Sequence, residues 1–556
     1  MTATTCIEKL ATRRRRHRPA HRPYEALGRN QAVFSAEARI RTDRAGRYLT
    51  QLCGHTARVS DLPHDHRRDE GTAMAIPRRA ECSGTDGVIE FDRGRCALRA
   101  TGEELVLLAE ADDQRHLRLM QDAIAARVQR IGRRDQLSLT WRPEPVAPGR
   151  PGAGIQAIIG QLMTPAGRDD PFPLYAVLHE VGPVSALSND SFVICGYAAV
   201  NQVLRDPGFG LAVDPVSPGS GSDTVRLMNQ SILRANPPDH GRMRSLISKV
   251  FTPRRVAELR PAIEAAVDDL LAQFSEATRG GTTDFMDRIA FPLPVTVICE
   301  LLGVPPVDRQ RFRPLAADLT GALELSGDTS PAVEAAAREL AGYFAPLIRH
   351  RQTEPGDDLI SALVAARDAG DGRLSDEELL ANLILLLVAG FETTTNLLGN
   401  GLAILLDRPG LTAALRAGHV PIAGFIEEIL RYDSPVQAVT RRAHRDGLTI
   451  ESVPVPEGSD LILLIGAANR DPARYHDPDR FDPTRTDIRP LSFGAGAHIC
   501  IGNNLARLEA AVAFPKLLNR FPDLSAASDR TALRRDRLVL RGYQTLPVQA
   551  APREPR

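Results

Sequence analysis

The feature that most restricts the fold is a glycine-rich stretch of ten residues, FGAGAHICIG at 493–502, which carries one cysteine and leads directly into a helical pattern. Gly494 and Gly496 permit a sharply bent loop, and Gly502 permits close approach of a backbone. Cys500 then lies at the N-terminal end of a helix, where backbone N–H groups and the helix dipole favour the thiolate, the form of cysteine that binds metals. A cysteine on such a loop can also be purely structural, so motifs elsewhere in the chain have to distinguish the two uses.

This stretch resembles the haem-binding loop of the cytochromes P-450, which reads F-x-x-G-x-H/R-x-C-x-G. Every fixed position is matched, by Phe493, Gly496, His498, Cys500 and Gly502. The resemblance implies that Cys500 is the axial ligand of the haem iron, and that the haem is surrounded by Phe493, Gly494, His498 and Gly502. A thiolate ligand donates electron density to the iron and favours cleavage of the O–O bond of dioxygen.

A second motif of that family, (A/G)-G-x-(D/E)-T, is matched by AGFET at 389–393, inside the longest helical pattern of the chain. The Thr393 hydroxyl can donate to a carbonyl one turn earlier, at Ala389 or Gly390, and these small residues permit a local opening of the helix. The resemblance implies that Ala389 and Gly390 contact the haem and that dioxygen occupies this opening beside it. An acid next to an alcohol can relay protons, so Glu392 and Thr393 are the candidate catalytic pair. Taken alone, this motif would be explained nearly as well by helix capping or by close packing of a helix as by a catalytic role.

A third motif, E-x-x-R, is formed by Glu428 and Arg431, which lie one helical turn apart on the same face. On its own, this motif is typical of an exposed Glu–Arg ion pair on the surface of a helix. In the resembled family it is a buried structural lock, completed by an arginine further along the chain that here resembles Arg480 in PDRF. We therefore assign these three residues to folding and not to chemistry.

Several cationic residues fall where the family binds the haem propionates. His240 and Arg244 match an H-x-x-x-R pattern, whose spacing places both side chains on one helix face. Arg441 resembles another propionate ligand, with its neighbour Arg442 as a rival. Together with His498 they would supply charge-assisted hydrogen bonds to two carboxylates.

The resemblance implies a haem-thiolate monooxygenase that binds haem b, activates dioxygen and inserts one oxygen atom into a small apolar organic substrate. The electrons would derive from NAD(P)H. The sequence shows no G-x-G-x-x-G motif opening a βαβ unit and no four-cysteine iron–sulfur spacing, so we expect a separate ferredoxin and ferredoxin reductase.

Three alternatives remain open from the sequence. The first is a peroxide-driven haem-thiolate enzyme, although such relatives usually replace the acid–alcohol pair that is intact here. The second is a non-catalytic module that binds haem or a partner. In the third, the N-terminal module binds or senses a ligand and the oxygenase is its effector.

Patterning along the chain predicts a small α+β domain followed by a mainly α domain with minor β-sheet, and the resemblance implies that the larger domain has the P-450 fold. The predicted parts are a basic disordered arm, the α+β domain, a Pro/Gly-rich linker, the haem-thiolate oxygenase domain and a tail, at residues 1–35, 36–142, 143–156, 157–550 and 551–556. The main helical patterns of the larger domain are at 253–274, 331–349, 375–406, 424–432 and 502–521. In the smaller domain, helices are predicted at 44–53 and 112–131, and strands at 88–91, 97–99, 105–109 and 137–141.

The N-terminal module contains the strings RYL, QLCGH, GVIEF and GRCAL between residues 47 and 98. They resemble a small bacterial family of unknown function, which implies no activity. Cys53, His55 and Cys96 are possible zinc ligands, but their spacing matches no common zinc site. We therefore expect a buried structural cysteine and a surface histidine.

Charge and hydropathy exclude several classes of function. Lys plus Arg and Asp plus Glu are both 69, so there is no global attraction for nucleic acid. No run of 18 apolar residues is present, so membrane insertion is not expected. Seven irregularly spaced cysteines are typical of a reducing compartment and predict a cytoplasmic protein.

Overall fold

The computed structural model describes most of the chain, as two compact units divided at residue 164. The described residues are 34–60, 77–91, 94–102, 104–111, 114–132, 135, 137, 139, 141–143, 153–188, 190–212, 222–249, 251–279, 281–325, 329–368 and 374–550. The predicted basic arm, except for its last two residues, lies outside them. So do most of the predicted linker and the predicted tail.

The first unit is built on a six-stranded antiparallel sheet of order β2-β3-β4-β5-β1-β6. Helices α1 and α2 pack on it and contact each other. Its elements are β1 (Phe34–Arg41), α1 (Ala45–Ser60), β2 (Pro77–Ser83), β3 (Asp86–Phe91), β4 (Gly94–Ala100), β5 (Glu104–Ala111), α2 (Gln114–Ile131), β6 (Trp141–Pro143) and α3 (Ala153–Leu162).

Alternating burial explains why this sheet has one covered face. In β5, Leu105, Leu107 and Ala109 are buried while the residues between them are partly exposed. The buried side chains pack with Leu49 and Leu52 of α1 into one core. The predicted α+β fold is confirmed, although strands β1 and β2 were not predicted.

The second unit is mainly helical, as predicted. Its helices are α4 (Pro165–Asp169), α5 (Phe172–Val181), α6 (Tyr197–Arg205), α7 (Asp223–Asn229), α8 (Asp239–Ile247), α9 (Pro253–Glu258), α10 (Arg260–Arg279), α11 (Pro292–Leu302), α12 (Arg309–Leu319), α13 (Pro331–Thr353), α14 (Leu359–Asp368), α15 (Asp376–Leu406), α16 (Pro409–Arg416), α17 (Ile422–Tyr432), α18 (Ile465–Ala468) and α19 (Asn503–Arg520). A π-helical turn spans Met286–Ala290, and 3₁₀ turns span Pro306–Asp308, Thr320–Leu323, Leu491–Phe493 and Gly496–His498.

The strands of the second unit are short and form small sheets, the largest of order β7-β8-β14-β11-β9. They are β7 (Val184–Ser188), β8 (Ser191–Ile194), β9 (Phe209–Gly210), β10 (Thr283–Asp284), β11 (Ala438–Ala443), β12 (Leu448–Ile450), β13 (Val453–Val455), β14 (Asp460–Leu464), β15 (Ser525–Ala526), β16 (Leu533–Arg534), β17 (Tyr543–Thr545) and β18 (Pro547–Gln549).

Three predicted elements differ from the structure. The helix predicted at 44–53 continues to Ser60 as α1. The helix predicted at 253–274 is divided at Leu259 into α9 and α10, because Pro261 has no N–H to donate to the carbonyl of Ala257. The strand predicted at 137–141 begins only at Trp141, as the edge strand β6, where Pro143 is tolerated.

Helix α15 lies at the centre of the second unit and contacts α11, α13 and α19. A capping box starts it: the Ser375 hydroxyl accepts from the Glu378 N–H, and the Glu378 carboxylate accepts from the Ser375 N–H. By length and composition α15 could cross a membrane, but 72% of its most apolar window is buried inside the protein. That burial is typical of the core helix of a globular domain.

Candidate active site

The cysteine loop is held by its own backbone. The Cys500 N–H donates to the Phe493 carbonyl oxygen at 2.8 Å. Gly494 and Gly496 both have a φ of 68°, which favours glycine. A Cβ at Gly496 would also collide with the carbonyl oxygen of Leu204, so the tight bend places this loop directly against α6.

The Cys500 side chain is exposed to an internal cavity of about 420 Å³. Burial by the surrounding protein raises the pKa of the thiol, whereas a hydrogen bond from the Gly502 N–H and the charges of Arg244 and Arg507 oppose that rise. A Cβ at Gly502 would meet no described protein atom within 4 Å, so the expected close approach at this glycine is not to another protein backbone. The loop therefore presents one sulfur to the cavity and leaves the space beside Gly502 open.

Four cationic or donor side chains, His240, Arg244, Arg441 and His498, line the same cavity. The rings of His240 and His498 are 3.8 Å apart, and His240 Nε2 is buried with no partner among the described atoms. Burial lowers the pKa of Arg441 to about 10, and burial together with the neighbouring cations lowers the pKa of His498 to about 3. No described carboxylate forms an ion pair with Arg244 or Arg441. This donor set fits a ligand that brings two carboxylates of its own, as haem does.

The structure distinguishes Arg441 from its rival Arg442. Arg442 donates through Nε to Asp460 Oδ1 at 2.7 Å, across the β11–β14 ladder. Arg441 is buried at the cavity wall and donates only to the carbonyl oxygen of Thr440, at 2.7 Å, among the described residues. Arg441 is therefore the one of the two that is available to an anionic ligand.

The acid–alcohol pair also faces the cavity, from the middle of α15. The Thr393 hydroxyl donates to the Ala389 carbonyl oxygen at 3.0 Å. Glu392 is fully buried; its Oε1 accepts a hydrogen bond from Arg535, and its Oε2 has no partner among the described atoms. One carboxylate oxygen is thus anchored by Arg535, and the other has no partner among the described atoms.

Two expectations about this helix need correction. Helix α15 is continuous from Asp376 to Leu406, so the local opening expected at Ala389 and Gly390 is not seen as a break. Gly390, which we predicted to contact the cofactor, is not among the residues that line the cavity. A Cβ there would lie 3.1 Å from the side chain of Ile298, so this glycine allows α15 to pack against α11.

The E-x-x-R pair is completely buried. Arg431 donates through Nε and Nη2 to the two carboxylate oxygens of Glu428, at 2.7 and 2.8 Å. Its other hydrogen bonds go to the backbone carbonyl oxygens of Asn469, Pro478 and Arg480. Five donated bonds use all five N–H groups of the guanidinium, so the pair fixes the backbone that precedes the cysteine loop.

The sequence led us to expect Arg480 as the third member of this lock. In the structure the third member is Arg485. The Arg480 side chain is 68% exposed and pairs with Asp482, so only its carbonyl oxygen takes part. Arg485 is 14% exposed and donates to Glu428 Oε1 at 3.3 Å. The match to PDRF selected the wrong arginine, because the irregular backbone at 476–482 directs the Arg480 side chain outward.

Sequence reasoning also missed residues that contact the predicted ones. Arg535 reaches Glu392 from the β16–β17 region, and Arg507 of α19 lies 4.4 Å from the ring centroid of Phe493. The only signal for Arg535 was the arginine-rich string RRDR at 534–537, and charge runs usually mark a solvated face.

Two family models match the chain. The cytochrome P450 model matches residues 324–418 and 422–540. An uncharacterized family conserved in bacteria, DUF2218, matches residues 37–142. The second match agrees with the resemblance of the first unit to a family of unknown function.

Relatives and solved structures agree over the second unit. Cytochrome P450 107B1 of Saccharopolyspora erythraea is 43% identical over 374 residues, 65% of this chain and 89% of the relative. The 6-deoxyerythronolide B hydroxylase of the same organism is 38% identical over 395 residues, 68% of this chain and 96% of the relative. The ligand-free crystal structure of Mycobacterium smegmatis CYP164A2 aligns with a TM-score of 0.63 at 41% identity, covering 70% of this chain and 99% of that one. The chain therefore belongs to the cytochrome P450 family and is an oxidoreductase of its monooxygenase class.

Proposed function

We propose that the second unit binds haem b through Cys500 and inserts one oxygen atom of dioxygen into a small, largely apolar organic molecule. The observation that carries this proposal is the cavity itself, where the Cys500 sulfur, four donors suited to two carboxylates and the acid–alcohol pair meet. Bound haem would supply the activation of dioxygen.

The residues of the chain then have separate tasks. Cys500 would hold the iron as a thiolate, stabilised by the Gly502 N–H and by Arg244 and Arg507. His240, Arg244, Arg441 and His498 would orient the propionates. His240 Nε2 has no partner among the described atoms, and no described carboxylate forms an ion pair with Arg244 or Arg441.

Proton supply is the task of Glu392 and Thr393. The Arg535 guanidinium holds Glu392 Oε1, so Oε2 is the atom that would take up and release protons. The Thr393 hydroxyl donates to the Ala389 carbonyl oxygen at 3.0 Å, so its oxygen lone pairs would accept a hydrogen bond from a water or another proton carrier in the cavity and hold that group in place.

Apolar side chains form the remaining wall and would exclude water from the reacting atoms. They come from segments that the family places around its substrate, at 208–235 and 315–332, and from α15 and the strands that follow, among them Leu211, Ile232, Leu323, Leu386, Val439 and Val539. The charged exceptions are Arg234 in the first segment and Glu324 in the second. Burial lowers the pKa of the Arg234 guanidinium, whereas the Glu324 carboxylate accepts from the N–H groups of Leu538, Val539 and Leu540. A largely apolar substrate with a polar or anionic group would suit such a wall.

We also propose that electrons come from NAD(P)H through a separate ferredoxin and ferredoxin reductase, and that the protein works in the cytoplasm. The six described cysteines are all free, which suits a reducing compartment. Product formed with NADPH, reductase and ferredoxin would support this electron source. Equal product from hydrogen peroxide alone would favour the peroxide-driven alternative.

The carbon monoxide difference spectrum of the dithionite-reduced protein tests the haem assignment. We expect the strongly red-shifted Soret band of thiolate-ligated haem. Cys500→Ala should abolish it, whereas Cys299→Ala, which removes a buried cysteine of α11, should keep it. A histidine-type band in the wild type, or an unchanged band in Cys500→Ala, would refute the proposal.

A further inference from the structure

Two cysteines of the first unit, Cys53 on α1 and Cys82 on the edge strand β2, lie beside the same point of the sheet. Cys82 is the ladder partner of Gly87, which is on the buried face of β3. A Cβ at Gly87 would lie 3.0 Å from Cys53 Sγ and 3.3 Å from Cys82 Cβ. Because glycine has no side chain, the Cys53 sulfur can pack against Gly87, beside Cys82.

The packing of α1 on β2 maintains this proximity. The two elements make one of the more extensive contacts within the unit. The Cys53 thiol donates to the carbonyl oxygen of Glu81 at 3.7 Å, one residue before Cys82 on β2. The backbone of β2 and β3 therefore holds the Cys53 sulfur beside Cys82.

The two thiols differ in access to solvent. Cys53 is 3% exposed, whereas Cys82 is exposed on the edge strand. Burial, together with its contact to Cys82, raises the pKa of Cys53 to about 12. Cys82 is thus the sulfur that a small oxidant reaches, and Cys53 is the protonated neighbour behind it.

A third cysteine, Cys96, has a different environment. It is fully buried on β4, with its thiol directed to the carbonyl oxygen of Ala97 at 3.7 Å. It matches the structural cysteine expected from the sequence, and it serves as a natural control for the pair.

We propose that Cys53 and Cys82 are an oxidation site, which a peroxide converts to an intramolecular disulfide that joins α1 to β2. Cys82 attacks one peroxide oxygen, the O–O bond breaks, and the departing oxygen leaves as water with a proton. Cys53 then attacks the sulfur of the Cys82 sulfenic acid, so the S–S bond forms and the S–O bond breaks. The second oxygen leaves as water with the Cys53 proton, and the peroxide has gained the two electrons that the thiols lost.

The test uses the full-length protein and hydrogen peroxide. After oxidation the protein is denatured with iodoacetamide, digested with trypsin without reductant, and examined by mass spectrometry. Cleavage after arginine places Cys53 in peptide 48–58, Cys82 in peptide 80–93 and Cys96 in peptide 96–99. We expect peptides 48–58 and 80–93 to be linked, with at least a tenfold rise over untreated protein, and to separate on addition of dithiothreitol.

Two matched variants complete the test. Cys82→Ser should leave Cys53 fully alkylated after peroxide, and Cys96→Ser should form the linked peptides as the wild type does. The proposal is overturned if Cys82 advances to the sulfinic acid while Cys53 stays a thiol. It is also overturned if Cys53 links to peptide 96–99, or if the bridge joins two chains on a non-reducing gel.

Discussion

The buried lock around Glu428 allows a direct test of two assignments of its third residue, one from the sequence and one from the structure. The sequence pattern selects Arg480 as its third member, whereas the structure selects Arg485. The variants Arg485→Ala and Arg480→Ala make the same chemical change five positions apart. Only one of them should weaken the second unit.

The expected size of each effect follows from the bonds removed. Arg485 donates to Glu428 at 3.3 Å and to the carbonyl oxygens of His476, Asp477 and Arg480 at 2.8, 2.9 and 3.1 Å. At roughly 0.5 to 1.5 kcal/mol net for each bond, and with water replacing some partners, its loss should cost about 3 kcal/mol. The exposed Arg480 side chain has one bond, at 3.3 Å to Asp482, so its loss should stay within about 0.5 kcal/mol.

Urea unfolding followed by far-ultraviolet circular dichroism measures both variants, because the second unit contributes most of the helix signal. With a slope of about 3 kcal/mol per molar urea, Arg485→Ala should lower the midpoint by about 1 M and Arg480→Ala by less than about 0.2 M. Equal midpoints for the two variants would refute the assignment. A larger drop in Arg480→Ala would restore the residue chosen from the sequence.

Three further predictions concern the cavity and the cysteine pair. Thr393→Val should lower turnover of the apolar probe 7-ethoxycoumarin by about 100-fold. Thr394→Val should change turnover by no more than a few fold, because the Thr394 hydroxyl bonds to Gly390 and neither residue lines the cavity. Equal losses in the two variants would contradict the proton role of Thr393. Arg441→Gln should speed haem transfer to apomyoglobin by about 10- to 100-fold, because one or more charge-assisted bonds to the haem are lost. Arg442→Gln should leave the transfer rate unchanged. A faster transfer in Arg442→Gln than in Arg441→Gln would exchange the roles of the two residues. Peroxide treatment should stabilise the first unit by about 3.5 kcal/mol by closing the loop from Cys53 to Cys82. The fluorescence of Trp141, the single tryptophan of the chain, reports that unfolding, and a similar gain in Cys82→Ser would exclude the bridge.

Much of the fold and of the site could be predicted because the decisive features are local. The cysteine loop needs glycine at 494 and 496 for its φ values, and this requirement is written in consecutive residues. The capping box at Ser375 and the apolar run after it predict the start of α15 in the same way. His240 and Arg244 share a helix face through their spacing alone, so both reach the cavity as expected.

Other features depend on contacts between distant parts of the chain. Glu392 and Arg535 are 143 positions apart, and no periodicity connects them. The division of the helix after Glu258 shows the opposite case, where a local signal, Pro261, was present but outweighed by the apolar pattern around it. Cys53 and Cys82 meet only because the pairing of β2 with β3 places Gly87 between them.

The partners of arginine are the hardest part of this chain to predict, for a reason that the lock makes clear. Three of the five bonds from Arg431, and three of the four from Arg485, go to backbone carbonyl oxygens. Every residue offers such an oxygen, so side-chain identity does not encode which one is used. The choice depends on where the irregular backbone at 476–482 directs its carbonyl groups, and this is fixed only when Glu428 is buried. A motif such as E-x-x-R therefore predicts the buried Glu–Arg pair. The path of the loop at 476–482, which that pair also stabilises, determines which arginine joins it.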